Sequence, residues 1–128
     1  PSVAGEITVA PSKKVYNEGE TVEICVSGKG LRSVNALSFA LPYDPQALEY
    51  VGTETTGMKE MRNLTNDRLH TSGTKALYPT FVNIGEKSYL EGDAELMTIK
   101  FKAKRKQKID LNVLDGMLVD KNLNTVKF

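Results

Sequence analysis

Leu37-Ser38-Phe39-Ala40-Leu41-Pro42-Tyr43-Asp44-Pro45-Gln46-Ala47-Leu48-Glu49-Tyr50-Val51-Gly52 is the stretch that decides the fold. Up to Tyr43 it alternates strictly. Leu37, Phe39, Leu41 and Tyr43 point one way; Ala36, Ser38, Ala40 and Pro42 point the other. A two-residue period with large apolar groups on one side is the pattern of a half-buried strand. Pro45 lacks a backbone donor and pushes Asp44 into an extended conformation, which ends the strand. Asp44 suits the cap of one helical turn, its carboxylate taking free N–H groups while Pro45 fills the first helical position. Leu48 and Tyr50 then begin another strand. The stretch predicts a core strand, a capped corner and the strand that follows.

The same alternation recurs on either side. Ile7 and Val9 alternate with Glu6 and Thr8 in a short strand that stops at Ala10-Pro11-Ser12. Asn17-Glu18-Gly19-Glu20 reads as a turn into a strand from Thr21 to Ser27, with Val22, Ile24 and Val26 inward. Gly28-Lys29-Gly30 ends that strand, and the next begins near Val34. Between Thr53 and Gly73 the pattern is ambiguous. Met58, Met61 and Leu64 recur at helical spacing, while a loop with a strand fragment around Arg68 to Thr71 fits equally. Thr74 to Ile84 has strand composition, and Pro79 inside it predicts an edge position or a bulge. Gly85 to Asp93 reads as a polar loop.

Ala94 to Ala103 is a second strong strand, with Met97, Ile99, Phe101 and Ala103 inward and Thr98, Lys100, Lys102 and Lys104 outward. Ile109, Leu111 and Val113 alternate again. Asp115-Gly116 predicts a tight hairpin turn, and Met117–Val119 and Asn124–Phe128 are two closing strands. About nine short strands with frequent turns and no convincing helix predict an all-β, antiparallel sandwich.

Composition narrows the function. The 128 residues fit one domain, with 1–5 as a linker remnant and 6–128 as a single folded unit. Seventeen basic against sixteen acidic residues leave a net charge of +1, which argues against a nucleic-acid footprint over the whole domain. Cys25 is alone, and no Cys/His cluster is spaced to hold zinc. No apolar run approaches the roughly 20 residues that span a membrane as a helix. The chain starts at Pro1 in a Pro/Ser/Gly-containing lead, so it reads as a module cut from a larger polypeptide.

Several motifs together resemble one family. Ile7-Thr8-Val9, the Asn17 to Val22 turn and strand, Tyr43-Asp44-Pro45 with Leu48-Glu49, and Leu90-Glu91-Gly92-Asp93-Ala94 running to Lys102 stand in the order and spacing of cohesin modules. So does the closing Leu118-Val119-Asp120 to Val126 segment. These are the modules of cellulosomes and of related secreted bacterial glycoside hydrolases. The resemblance implies a nine-stranded jelly-roll β-sandwich without catalysis. It also implies a dockerin partner that carries calcium on its own loops, with no cofactor in this module. It places the domain outside the cell or on a bacterial surface as part of a larger secreted protein, monomeric when isolated. The face that the resemblance assigns to the partner carries Ala36, Ser38 and Ala40. Well-studied relatives have polar Asn and Asp at the first two of these positions, whereas small residues here would let a partner helix approach closely. Tyr78 and Asn83 are added from the next long strand region.

Other residues have plainer readings. His70 and Cys25 show no partner that would make either catalytic, and capping explains Asp44. Lys100, Lys102, Lys104, Arg105, Lys106 and Lys108 form a solvated strand face and basic turn, or alternatively a patch that steers an acidic partner or polysaccharide. Glu86, Glu91, Asp93 and Glu95 suit a polar loop better than a cation site, which needs six to eight converging oxygens. A carbohydrate-binding module would rely on Tyr78 and Tyr89, since the chain has no Trp. A structural spacer is the third reading.

Overall fold

The structure, a computed structural model, describes residues 5–55, 61–63, 66–69, 75–83, 89–111 and 113–127. Its strand segments are β1 (Glu6–Pro11), β2 (Val15–Tyr16), β3 (Thr21–Tyr43), β4 (Leu48–Glu54), β5 (Met61–Asn63), β6 (Asn66–Leu69), β7 (Lys75–Tyr78), β8 (Thr80–Asn83), β9 (Leu90–Ala103), β10 (Gln107–Lys108), β11 (Leu114–Asp120) and β12 (Thr125–Lys127). All pairings among them are antiparallel.

The frame is β3, 23 residues long. Sequence reading expected two strands here, separated at Gly28-Lys29-Gly30. The chain instead bends without breaking. Gly30 takes φ 62° and Ser33 φ 47°, and the register against β9 slips at Val26/Ser27, Gly28/Leu31 and Leu31/Val34. A left-handed residue turns a strand sharply, and glycine does so without a Cβ penalty. The first half of β3 pairs with β1 and β9, and β9 also pairs with β4. The second half pairs with β11 on one side and with β7 and β8 on the other, while β12, β5 and β6 lie outside these. One strand thus serves both layers of the sandwich.

The bend is held by β9. Gly30 N–H donates to Asp93 Oδ1 at 2.8 Å, and Ser33 donates to Glu91 Oε1 from both its N–H and its hydroxyl, each at 3.0 Å. This corrects the polar loop expected up to Asp93. Strand β9 already begins at Leu90, because Glu91 and Asp93 serve the neighbouring strand.

The capped corner forms as the residues require. Gln46 N–H donates to Asp44 Oδ1 at 2.9 Å, and the N–H groups of Ala47 and Leu48 donate to the Asp44 carbonyl at 3.0 and 2.9 Å. Asp115-Gly116 is a correction. It lies inside β11, where the register slips between Leu114 and Met117, so it makes a bulge. The hairpin turn between the two closing strands falls at 121–124, as their expected bounds require. No strand forms over Ile109 to Val113 among the described residues, yet all three apolar side chains pack on the core. Between Thr53 and Gly73 the described residues other than Thr55 are strand, and none is helix; Met58, Leu64 and His70 lie outside them.

Pro79 sits at neither an edge nor a bulge. Leu41 pairs with Leu77 and Ser38 with Thr80, so the spacing across the proline is equal on both strands. Phe39 N–H donates to the Pro79 carbonyl at 3.1 Å, which keeps the register through a position that lacks a donor of its own.

The core follows the alternation. Leu118, Leu37 and Phe81 form one cross-strand row, with exposures of 0, 1 and 0%. From the other layer come Val22, Ile24, Val26, Ile99 and Phe101, all buried. Tyr43 meets Phe101 with ring centroids 4.9 Å apart. Burying one such aromatic side chain stabilises the fold by about 2–3 kcal/mol. The all-β sandwich expected from the sequence is the observed architecture.

Candidate functional site

Residues directly opposite on antiparallel strands share a face of the sheet. The register of the second layer therefore defines its outer surface. Ala36 stands between Val119 on β11 and Val82 on β8, and Val119 faces Thr125 on β12. Ser38 stands between Met117 and Thr80, and Met117 faces Lys127. Ala36, Ser38, Thr80, Val82, Met117 and Val119 are all half-buried, while Thr125 and Lys127 are exposed. Two neighbouring rows of short or aliphatic side chains thus make a low, mildly apolar surface with a lysine at one margin. Such a surface suits the close approach of another protein.

The structure brings most of the expected site residues to this surface. Ala36 and Ser38 lie in its two rows. Continuing the register places Tyr78 opposite Ala40 on the same face. Ala40 itself is buried, 1% exposed, and this changes its role. A methyl group at cross-strand distance from a half-buried tyrosine lies beneath the surface that a partner would touch. Asn83 ends β8, where its backbone pairs with Met61, and its side chain lies outside the described residues.

Sequence reasoning missed Met117, Val119, Thr80 and Val82. Met117-Leu118-Val119 is apolar throughout, so period alone cannot tell which residues face out. In Thr80-Phe81-Val82 the signal existed: Phe81 is the largest of the three, and its burial sends both neighbours outward.

Part of the basic run from Lys100 to Lys108 is answered within the domain. Lys100 pairs with Glu54, and that bond holds its ammonium above the ordinary lysine value against a smaller opposing effect of desolvation. Lys102 stands opposite Glu49, Lys104 Nζ donates to the Pro45 carbonyl at 2.7 Å, and Arg105 reaches Asp44 at 3.4 Å. Pairing of this kind weakens a long-range steering field. Tyr78 and Tyr89 are half-buried, so neither lays a bare ring open to a sugar. Among the described residues no three His, Cys, Asp or Glu side chains are grouped to hold a metal ion, and Glu86 lies outside them. A cavity of about 350 Å³ opens beside the Asp44 corner, between it and the Arg105–Leu111 segment.

Comparison with known proteins bears on family and fold. The family model of the cohesin domain matches residues 6–128. Among curated proteins none matches the chain. Solved structures similar to it share its jelly-roll sandwich. One is a cohesin module from a family 33 glycoside hydrolase of Clostridium perfringens, 14% identical with a TM-score of 0.72, covering 99% of this chain and 91% of that one. Another is a type II cohesin domain from the cellulosome of Acetivibrio cellulolyticus, 13% identical with a TM-score of 0.73, covering 96% and 88%. A third, the sixth cohesin of that organism's scaffoldin B, was solved in complex with a mutant Cel5 dockerin. It is 18% identical with a TM-score of 0.70, covering 94% and 90%.

Proposed function

We propose that this chain, which belongs to the cohesin family, docks a dockerin module on the two-row face of its second layer. Cohesin domains are non-catalytic protein-interaction modules. The observation that carries the reading is the surface itself: Ala36, Val119 and Val82 beside Ser38, Met117 and Thr80, low enough for a helix to lie across. A standard interface of roughly 800 Å² per partner fits such a face, its energy concentrated in a few central residues. On this reading the calcium sits in the dockerin's own loops, and this domain contributes no cofactor. Docking tethers a secreted carbohydrate-active enzyme or scaffold outside the cell or at its surface, and the isolated domain is a monomer that awaits its partner.

The test is capture on the immobilised domain of the source organism's secreted proteins, with calcium and then with a chelator. A dockerin-bearing protein retained only with calcium supports the reading. Retention of oligosaccharide on a glycan array, with no protein captured, favours a carbohydrate-binding module. Nothing bound in either format leaves a spacer.

A further inference from the structure

The cavity beside the Asp44 corner is fixed on both sides. Gln107 Nε2 donates to the carbonyls of Ala47 at 2.8 Å and Arg105 at 3.0 Å. Lys104 N–H donates to the Ala47 carbonyl at 2.8 Å, and Ile109 N–H to the Lys14 carbonyl at 3.2 Å. These bonds tie the segment from Arg105 to Leu111 to the corner and to the residue before β2, so the cavity is preformed. Its volume of about 350 Å³ lies at the lower end of the range for small-molecule sites, about 300–1,000 Å³.

Its lining divides by chemistry. Pro42, Ile109 and Leu111, all half-buried, supply apolar carbon. Arg105 and Lys108 bring cations to the same cavity, and Asp44 and Asp110 bring carboxylates. Asp44 is already engaged: one oxygen caps the corner and the other meets Arg105 at 3.4 Å. Lys108 and Asp110 are exposed, and neither side chain has a hydrogen bond or ion pair among the described residues. Both amide protons of Gln107 are spent on carbonyls, which leaves its Oε1 as an acceptor. A simple anion would be drawn by Lys108 and repelled by Asp110. A neutral sugar would leave Lys108 unanswered. A carboxylated sugar uses every group: its acid for the cations, its hydroxyls for the acceptors, and its ring carbons for Ile109 and Leu111. Bonds to charged groups are the stronger ones in such a site.

We propose that this cavity binds a uronic-acid residue of an acidic oligosaccharide. The sugar carboxylate meets Lys108 and Arg105, and its hydroxyls donate to Asp110 and to Gln107 Oε1. Lys106, exposed and likewise unpaired among the described residues, lies outside the lining and adds only long-range attraction. None of the lining residues belongs to the rows of Ala36 and Ser38, so the site stands or falls apart from docking.

The test is titration of the domain with oligogalacturonate and with alginate oligosaccharide, followed by NMR. A saturable shift of the amide signals around Lys108 to Leu111 is expected with at least one of them. Lys108→Ala is expected to weaken that binding at least about tenfold, the scale of a bond to a charged group. Lys106→Ala removes the same charge outside the cavity and is expected to weaken it much less. Asp110→Ala separates a sugar site from a bare basic patch. A sugar loses a hydroxyl acceptor and binds more weakly, whereas a ligand held by charge alone loses a repulsion and binds more tightly. All three positions are exposed, so the variants are expected to melt with the unaltered domain. Tighter binding in Asp110→Ala overturns the sugar site. Equal binding of a glutamate oligopeptide does so too and would make the patch a contact for acidic peptides. Equal binding of a neutral cello-oligosaccharide, or no saturable shift with either acidic probe, also overturns the proposal.

Discussion

Asp93 accepts a hydrogen bond from the N–H of Gly30 at 2.8 Å, across 63 positions of sequence, so a side chain of β9 holds the bend of β3. The bend lets one strand lie in both layers, and the outward positions of Ala36 and Ser38 on the second layer follow from it. Asp93→Ala removes the acceptor at an exposed position and is expected to lower stability by about 1 kcal/mol, a typical net loss for one such bond. Urea denaturation checks this. A midpoint equal to that of the unaltered domain would show that the backbone alone sets the bend.

Phe81 ties the core to the proposed docking face, its ring in the buried row with Leu37 and Leu118 and its neighbours on the outer surface. Phe81→Ala is expected to cost about 3–5 kcal/mol, since the ring is fully buried and the sheet cannot collapse into the space. Val82→Thr, one residue away, is expected to change the denaturation midpoint little while weakening partner binding. Equal destabilisation by the two would contradict the assigned register.

How far the sequence was legible depended on local chemistry. Alternation from Leu37 to Tyr43 and from Met97 to Ala103 named the core, and Asp44-Pro45 named the corner, because period and capping act over a few residues. The bend at Gly28 to Val34 was read as a gap. Its stability comes from Glu91 and Asp93, about sixty positions away in sequence, which no local pattern connects to it. Pro79 misled for a related reason: a missing donor reads as an interruption, yet its carbonyl still takes Phe39 N–H and the register survives. The proposed docking face was half legible. The β3 residues showed their side by alternation, whereas Met117-Leu118-Val119 carried no contrast to read.

Asp120 links the hairpin to pH. Burial opposes its ionised form, but the N–H and side chain of Asn124, the N–H of Asn122 and nearby Lys121 together hold its carboxyl below the ordinary value of 3.8. A carboxyl that is more acidic in the folded chain takes up its proton first in the unfolded chain. Its stabilising share is therefore complete above that ordinary value and is lost as pH falls through the lower folded one. Asp120→Asn is expected to lower the melting temperature at neutral pH, with the gap to the unaltered domain narrowing as pH falls below 3.8. Glu20, held low mainly by the Asn17 N–H and then by Lys13, keeps its own acid dependence in both proteins. A gap of equal size at neutral pH and in acid would show that the charge of this carboxylate contributes nothing.

Ser38 is the most direct probe of the proposed docking face. It is half-buried at the middle of a row, between Met117 and Thr80, and its side chain is too short to support the core. Arginine there extends a long charged group over the surface that a helix would cover, and the neighbouring aliphatic side chains offer that charge no partner. The flexible stem can lie outward in the free domain, so folding is little affected. In the complex the same charge must be desolvated or the helix displaced, and the affinity is expected to fall by at least about a hundredfold, the scale of a central interface residue. Calorimetry against the captured dockerin, with circular dichroism melting as the control, reads both effects. Retained affinity in a folded Ser38→Arg domain would place the partner elsewhere on the molecule.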